Sequence, residues 1–241
     1  MLFVSCGSSK RNILNTKTSN DNTILNSTST DVTFKTSAEN FDSYLPLLKD
    51  KRVGIVTNQT GILSKEKHLV DFLIEQNINL QKIYAPEHGF RGTADAGELI
   101  VDGKDTKTNL PIISLYGNNK KPKPEQLEGI DILVFDLQDV GARFYTYISS
   151  LHYVMEACAE NNIPLLVLDR PNPNGTIIDG PILEKEHKSF VGMHEIPVLH
   201  GMTNGEYAKM INGEKWLKDS IQCDLKVAPC LNYSHDMKYS L

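Results

Sequence analysis

Short runs of apolar and β-branched residues alternate with stretches of helical periodicity from Phe41 to Ala228. The predicted helices are Lys65–Gln76, Phe144–Asn161 and Gly205–Asn212. The predicted strands are Val53–Thr57, Leu80–Ala85, Ile112–Leu115, Ile132–Asp136, Leu165–Asp169 and Leu225–Ala228. Alternation of this kind is typical of βαβ units, in which helices connect parallel strands. The pattern therefore predicts an α/β fold with a mostly parallel sheet and helices on both faces.

Polar motifs follow several of these strands at the point where each strand ends. They are Asn58–Gly61, Pro86–Gly92, Asp139–Arg143 and Asp169–Gly175. The carboxyl ends of parallel strands lie at one edge of a sheet, and open α/β sheets bind their ligands at that edge. The order of the motifs therefore predicts one shared polar cleft.

The side chains in these motifs are of the types that recognise sugars and carboxylates. Amides offer both donors and acceptors to hydroxyl and acetamide groups, and guanidinium groups bind carboxylates through two parallel hydrogen bonds. The predicted substrate-binding residues are Asn58, Gln59, His88, Arg91, Arg143, Tyr145, Asp169, Arg170, Asn172, Asn174 and, from a later loop, His200.

Composition and motif content argue against several other functions. The chain has 25 Lys and Arg against 30 Asp and Glu, a net charge of -5, so we expect no nucleic-acid partner. The nucleotide-binding patterns GxGxxG and GxxxxGK[ST] do not occur, and neither does the zinc signature HExxH. We therefore expect no cofactor and no metal, and no protein partner is evident from the sequence.

The first residues resemble the end of a bacterial lipoprotein signal. An apolar stretch in residues 1–6 leads to Cys6 and Gly7, but it is shorter than the apolar core of about 7–15 residues that a working signal needs. We interpret 1–6 as a partial lipoprotein-like signal, with chance resemblance as the alternative. Lipidation at Cys6 would anchor the protein to a membrane, so we expect it in the cell envelope, periplasmic or extracytoplasmic.

Residues 7–40 are rich in Ser, Thr and Asn and have few apolar groups. Such a segment buries too little apolar surface to offset the entropy of ordering, so it is predicted to be a disordered tether. A floppy terminus without a tethering role explains the composition equally well. The folded α/β lobe is predicted to span 41–230.

Several long motifs occur in order from Val53 to Ala228: VTNQTG, PEHGFRG with ADAGE after it, FDLQDVGARFYTY, DRPNPNG and HGMTNGE. They resemble the NamZ-type exo-β-N-acetylmuramidases, formerly a domain of unknown function. The resemblance implies a Rossmann-like lobe and a smaller second lobe with the cleft between them. It also implies release of terminal N-acetylmuramic acid from peptidoglycan-derived sugars such as MurNAc-GlcNAc. On this basis the second lobe is largely missing here, and 231–241 is its truncated start.

The catalytic glutamate that the family implies lies in the PEHG motif and is Glu87. Glycoside hydrolysis usually uses one carboxylic acid to protonate the leaving oxygen and a second carboxylate as base or nucleophile. Glu87 is predicted to be the acid/base, although it could instead cap a helix or pair with Arg91. Asp139 is predicted to be the second carboxylate. Its alternatives are Asp95, Glu98, Asp169, a structural pair with Arg143, or assistance by the substrate acetamide.

The lactyl carboxylate distinguishes muramic acid from glucosamine, and we expect Arg143 or Arg170 to bind it. The alternative is that these arginines form structural pairs with Asp139 and Asp169. His200 could reach the cleft, but a helix N-cap at Thr203 or Asn204 would also explain its loop. The competing function is a non-catalytic envelope lipoprotein that binds muramyl sugars. An esterase or amidase is less well supported, because no GxSxG motif occurs.

Overall fold

A computed structural model of the chain describes residues 33–91, 102–237 and 239. The strands of the described residues are β1 Arg52–Thr57, β2 Asn79–Ala85, β3 Gly103–Lys104, β4 Pro111–Ser114, β5 Ile132–Asp136, β6 Leu165–Leu168, β7 Ile178–Asp179, β8 Leu199–His200 and β9 Leu225–Ala228. Seven of them form one sheet in the order β3-β4-β2-β1-β5-β6-β9, and β7 and β8 pair as a separate antiparallel ribbon. All neighbours in the large sheet are parallel except the edge pair β3 and β4.

The longest helices in the described part of the chain are those that the periodicity predicts. The α-helices are α1 Leu45–Leu48, α2 Leu69–Glu75, α3 Pro124–Leu127, α4 Tyr147–Glu160 and α5 Asn204–Gly213. Short 3-10 helices span Ser37–Glu39, Phe41–Ser43, Ser64–Glu66, Lys185–His187 and Lys218–Ser220. None of the helices in the described residues has the length and apolar character that a membrane span requires.

The predicted strands are all present, and their ends differ from the prediction by one residue at most. The predicted helix Lys65–Gln76 is divided, because α2 begins only at Leu69. His68 ends the preceding turn: its Nδ1 accepts the Val70 N–H at 3.1 Å, and its Nε2 lies 2.8 Å from the Asn58 carbonyl oxygen. A buried side-chain cap thus fixes the start of α2 and ties it to the loop after β1.

Alternating residues of the central strand β5 point to opposite faces of the sheet, as the period of a strand requires. Leu133 and Phe135 pack into an apolar cluster with α4 and α5, whereas Ile132 and Val134 pack into a second cluster with α1 and α2. The sheet therefore has helices on both faces, and the predicted Rossmann-like α/β class is confirmed.

The direction of the strand order reverses between β1 and β5. From β1 the chain builds the sheet outward through β2 and β4, and from β5 it continues to the other side through β6 and β9. Thr57 and Asp136 are register partners at the carboxyl ends of β1 and β5. Loops separate at such a reversal, which is why doubly wound sheets form their ligand crevice there.

The prediction that the disordered tether extends to residue 40 is wrong for 33–40. Lys35 pairs with Leu231 through two backbone hydrogen bonds of 3.1 and 2.9 Å, and the Ser37 N–H donates to the Asp169 carbonyl oxygen at 3.1 Å. Backbone pairing orders this polar segment, and composition alone does not register such pairing. The rest of the predicted tether and signal, including Cys6, lies outside the described residues.

Candidate active site

The loop that follows β1 contacts the hydroxyl of Tyr147 at the start of α4. The Asn58 side-chain amide donates a hydrogen bond of 2.7 Å to the Tyr147 Oη. Burial raises the pKa of Tyr147 to about 12, and the negative charges of Glu87 and then Asp139 contribute to the same shift. Both predicted catalytic carboxylates therefore act electrostatically on one partly buried hydroxyl.

Glu87 is held in a tight turn. The Gly89 N–H donates to the Pro86 carbonyl oxygen at 3.1 Å, and His88 has a φ of 72°, at a turn position that usually takes Gly or Asn. The Thr146 hydroxyl donates to Glu87 Oε2 at 3.0 Å. A hydrogen bond from the Tyr116 hydroxyl to Glu87 raises the pKa of that tyrosine. The Thr146 hydroxyl therefore orients the Glu87 carboxylate, and the Tyr116 hydroxyl lies on the same cleft wall.

A cleft of about 660 Å³ opens in front of Glu87. Its described lining is polar on the side of the sheet and partly apolar on the side of the loop that carries Phe190. Among these residues Glu87 provides the single carboxylate and Lys120 the single cation. The lining residues are Glu87, Tyr116, Gly117, Asn118, Lys120, Thr146, Ser189, Phe190 and Val191.

Arg91 does not pair with Glu87, contrary to one of the sequence-based alternatives. Its guanidinium donates two hydrogen bonds of 2.8 Å to Asp105 and lies 3.5 Å from Asp71. The guanidinium holds the pKa of Asp105 well below its usual range. Arg91 lines a separate groove of about 500 Å³, which also contains the predicted residue Gln59. Neither residue belongs to the described lining of the cleft at Glu87, and their role in substrate binding stays a prediction.

Arg170 is buried at the point where the strand order reverses. Its Nε and Nη2 donate to the Asp136 carboxylate at 2.6 and 3.0 Å, and the Asp136 side chain has no exposed surface. Burial disfavours the charged guanidinium, but the Asp136 charge outweighs this effect and raises the pKa of Arg170. The predicted alternative, a side-chain pair between Arg170 and Asp169, is wrong. The Arg170 guanidinium, which was predicted to bind the lactyl carboxylate, is already paired with Asp136.

Arg143 is also engaged within the protein. Its Nη1 donates to the carbonyl oxygens of Pro181, at 2.8 Å, and Ile196. These bonds hold both ends of the segment 181–196, so the predicted pair between Arg143 and Asp139 is wrong. Tyr145 is half-exposed, with its ring centroid 5.4 Å from that of Phe144, and it does not belong to the described lining of the cleft.

Asp139 and His200 are buried side by side, and neither belongs to the described lining of the cleft. Asp139 Oδ2 accepts the Gly141 N–H at 2.7 Å and lies 3.8 Å from His200 Nε2, while Asp139 Oδ1 and His200 Nε2 have no hydrogen-bond partner. Burial raises the pKa of Asp139 to about 6 and lowers that of His200 to about 4. Burial therefore disfavours the charged form of both groups.

The remaining predicted residues shape the loops instead of facing the cleft. Asp169 accepts the Thr203 hydroxyl at 2.7 Å and the Gly205 N–H at 2.8 Å, which fixes the first turn of α5. The Asn172 and Asn174 amides donate to the carbonyl oxygens of Met202 and Val140 at 2.9 and 2.7 Å. Gly141, with a φ of 76°, is required here, because a Cβ would lie 2.0 Å from Asn172 Oδ1.

Sequence reasoning missed Tyr116, Lys120, Thr146 and the segment 189–191. Tyr116 and Lys120 follow β4, whose carboxyl end lies at the same sheet edge as the motifs that were recognised. The edge rule applied to this strand would have found them. The segment 189–191 gives no comparable signal, because it does not follow a strand of the large sheet.

One group of potential metal ligands occurs among the described residues. Glu184, Glu186 and His187 lie close together on an exposed 3-10 turn. None of them lines the cleft, and the expectation that the protein uses no metal stays a prediction.

Fold and site together define a Rossmann-like α/β lobe. Its cleft combines a carboxylate, a cation, hydroxyls and an amide, a set suited to a polar ligand such as a sugar. The family model described as exo-β-N-acetylmuramidase NamZ, N-terminal, matches residues 53–241. The chain belongs to this family, and the predicted membership is confirmed.

Known proteins resemble the chain in both sequence and structure. It is 50% identical over 198 residues to the peptidoglycan β-N-acetylmuramidase NamZ of Bacillus subtilis (strain 168), covering 81% of this chain and 47% of that protein. Two crystal structures of DUF1343 family proteins from Bacteroides fragilis NCTC 9343 superpose with TM-scores of 0.77 and 0.79 at 48% and 43% identity. Each match covers 86% of this chain, and 54% and 53% of those chains. The chain thus spans about half the length of these relatives.

Proposed function

We propose that the protein is an exo-acting glycoside hydrolase that releases terminal N-acetylmuramic acid from peptidoglycan fragments during cell-wall turnover and recycling. The observation that carries the proposal is Glu87, which accepts a hydrogen bond from the Thr146 hydroxyl on the wall of a polar cleft. The 50% identity to a peptidoglycan β-N-acetylmuramidase supports the same reaction.

Glu87 acts as the acid/base in this proposal. It protonates the glycosidic oxygen of the leaving sugar, and the Thr146 hydroxyl holds its carboxyl group toward that oxygen. A second carboxyl group or the substrate acetamide completes the reaction. Asp139 is the protein candidate that the sequence predicts, but it does not belong to the described lining of the cleft.

The test is release of free N-acetylmuramic acid from MurNAc-β-1,4-GlcNAc by the wild type and by Glu87→Gln. Acid/base catalysis contributes roughly 10²- to 10⁴-fold, so Glu87→Gln should lose about that factor in kcat. The mutant should still bind the disaccharide, because the amide has nearly the same shape. Undiminished turnover in Glu87→Gln would remove Glu87 from the mechanism.

The second candidate is a muramyl-sugar-binding protein without turnover. It is favoured by one observation: among the described lining residues the cleft holds a single carboxylate, whereas most glycosidases use two. Disaccharide binding by the wild type without any release of N-acetylmuramic acid would support this alternative. Release that depends on Glu87 would exclude it.

We further propose that the protein is located in the cell envelope and anchored through lipid on Cys6. The support is the apolar sequence before Cys6 and the peptidoglycan substrate of the relative. Metabolic labelling with an alkyne fatty acid should mark the wild type and leave Cys6→Ser unlabelled. Equal labelling of both, or of neither, would contradict the anchoring.

A further inference from the structure

We propose that Lys120 selects muramic acid over glucosamine by binding the lactyl carboxylate, an inference that rests on the proposed function. Lys120 follows β4, whose carboxyl end lies at the ligand-binding edge of the sheet. It is partly buried and lines the same cleft as Glu87. A sugar seated against Glu87 would therefore have an ammonium group within the same cavity.

The other cations that the sequence offered for this role are already engaged. Arg91 forms a two-bond pair with Asp105, and Arg170 forms one with Asp136. Arg143 donates to two backbone carbonyl oxygens. Moving any of these groups to a ligand would leave a partner unsatisfied, which is costly when the partner is buried.

Lys120, by contrast, has no carboxylate partner in the part of the chain that the structure describes. The next residue in the chain, Lys121, is paired by contrast: its Nζ lies 2.7 Å from Glu156 Oε1. The ammonium group of Lys120 therefore keeps its charge available for an anion from outside the protein.

An aromatic support positions the ammonium group without neutralising it. Lys120 Nζ lies 4.4 Å from the centroid of the Phe190 ring, and Phe190 stacks on Tyr153 with centroids 5.9 Å apart. The ring attracts the cation weakly. This attraction restricts the flexible side chain of Lys120, so less entropy is lost when a carboxylate binds.

The lactyl group fits this chemistry because it is the feature that separates the two amino sugars. It adds a carboxylate to N-acetylglucosamine, and an ammonium group binds a carboxylate through a charge-assisted hydrogen bond. N-Acetylglucosamine would leave the Lys120 charge without a partner inside the cleft. Selection through such a contact is a difference in binding between the two sugars.

The experiment compares two substrates in the full chain: MurNAc-β-1,4-GlcNAc and the same disaccharide with the lactyl carboxylate converted to an amide. Lys120→Met should lose roughly ten- to hundredfold in kcat/KM on the acid, mostly through KM, and little on the amide. Lys120→Arg should retain most of the activity. Lys226→Met, an exposed lysine on β9, is the control and should leave both substrates unaffected. Equal losses on both substrates, or no loss on either, would overturn the assignment.

A binding measurement separates this inference from the proposed reaction. Calorimetry with free N-acetylmuramic acid and N-acetylglucosamine should show a preference for the acidic sugar in the wild type that disappears in Lys120→Met. If the wild type shows this preference but releases no sugar, the hydrolase proposal fails and the role of Lys120 stands. No preference in the wild type, or an unchanged preference in Lys120→Met, would refute the role of Lys120.

Discussion

The two halves of the ligand-binding edge use similar polar side chains in opposite ways. On the side of β5 and β6, Arg170 and Asp169 are buried and saturated by protein partners. On the side of β2 and β4, Glu87 and Lys120 line an open cleft, where the Thr146 hydroxyl and the Phe190 ring hold them without cancelling their charges.

The difference shows that residue type alone does not identify a binding group. A guanidinium that already donates two hydrogen bonds to a buried carboxylate stabilises the fold, and it is unavailable to a substrate. A charged group that is held in position but has no oppositely charged protein partner remains available to a substrate. Changes in the saturated half should therefore affect stability first, whereas changes in the cleft should affect turnover with little effect on stability.

The largest effect is expected from Arg170→Met, which would leave the buried Asp136 carboxylate without its partner. Breaking a buried ion pair in this way costs about 3–5 kcal/mol of unfolding free energy. Urea denaturation followed by circular dichroism would measure the loss. An unchanged urea midpoint in Arg170→Met would show that the buried pair between Arg170 and Asp136 does not stabilise the fold.

Asp139→Asn should change how stability depends on pH. The folded-state pKa of about 6 lies above the ordinary value of 3.8, so the folded protein binds this proton more tightly than the unfolded chain. The contribution of Asp139 is therefore present below pH 4 and is lost as the pH rises to about 6, at a cost of up to about 3 kcal/mol. Unfolding measured from pH 4 to 7 should show a smaller decline in Asp139→Asn, and equal profiles would contradict the shift.

Thr146→Val should reduce kcat roughly ten- to hundredfold, because it removes a hydroxyl donor to the Glu87 carboxylate. The Thr146 side chain does not cap α4, so stability should change little. Thr146→Ser keeps the hydroxyl group and provides the matched control. A loss of stability in Thr146→Val that parallels the loss of activity would show that Thr146 stabilises the fold, as Arg170 and Asp169 do, instead of acting on Glu87.

The smallest effect is expected from Arg52→Met, which breaks the exposed pair between Arg52 and Asp131. Water and salt already screen such a pair, so the urea midpoint should stay the same within error. This variant is the surface control for Arg170→Met. A comparable loss in both variants would show that burial does not decide the value of an arginine–aspartate pair here.

The strand and helix pattern was sufficient to predict the parallel strands of the sheet, its longest helices and the edge that carries the candidate site. Glu87 was correctly placed at that edge because a motif follows β2 directly. The partners of the arginines could not be predicted, since Arg170 pairs with Asp136, 34 residues away, instead of its neighbour Asp169. Which carboxylate reaches a buried guanidinium depends on strand order, and sequence distance does not encode that order.

The most direct test of this account is a crystal structure of Glu87→Gln with MurNAc-β-1,4-GlcNAc bound. The account predicts that the glycosidic oxygen lies within hydrogen-bond distance of residue 87 and that the lactyl carboxylate contacts Lys120 Nζ. A sugar bound instead in the groove beside Arg91, or a lactyl group on Arg143 or Arg170, would contradict it.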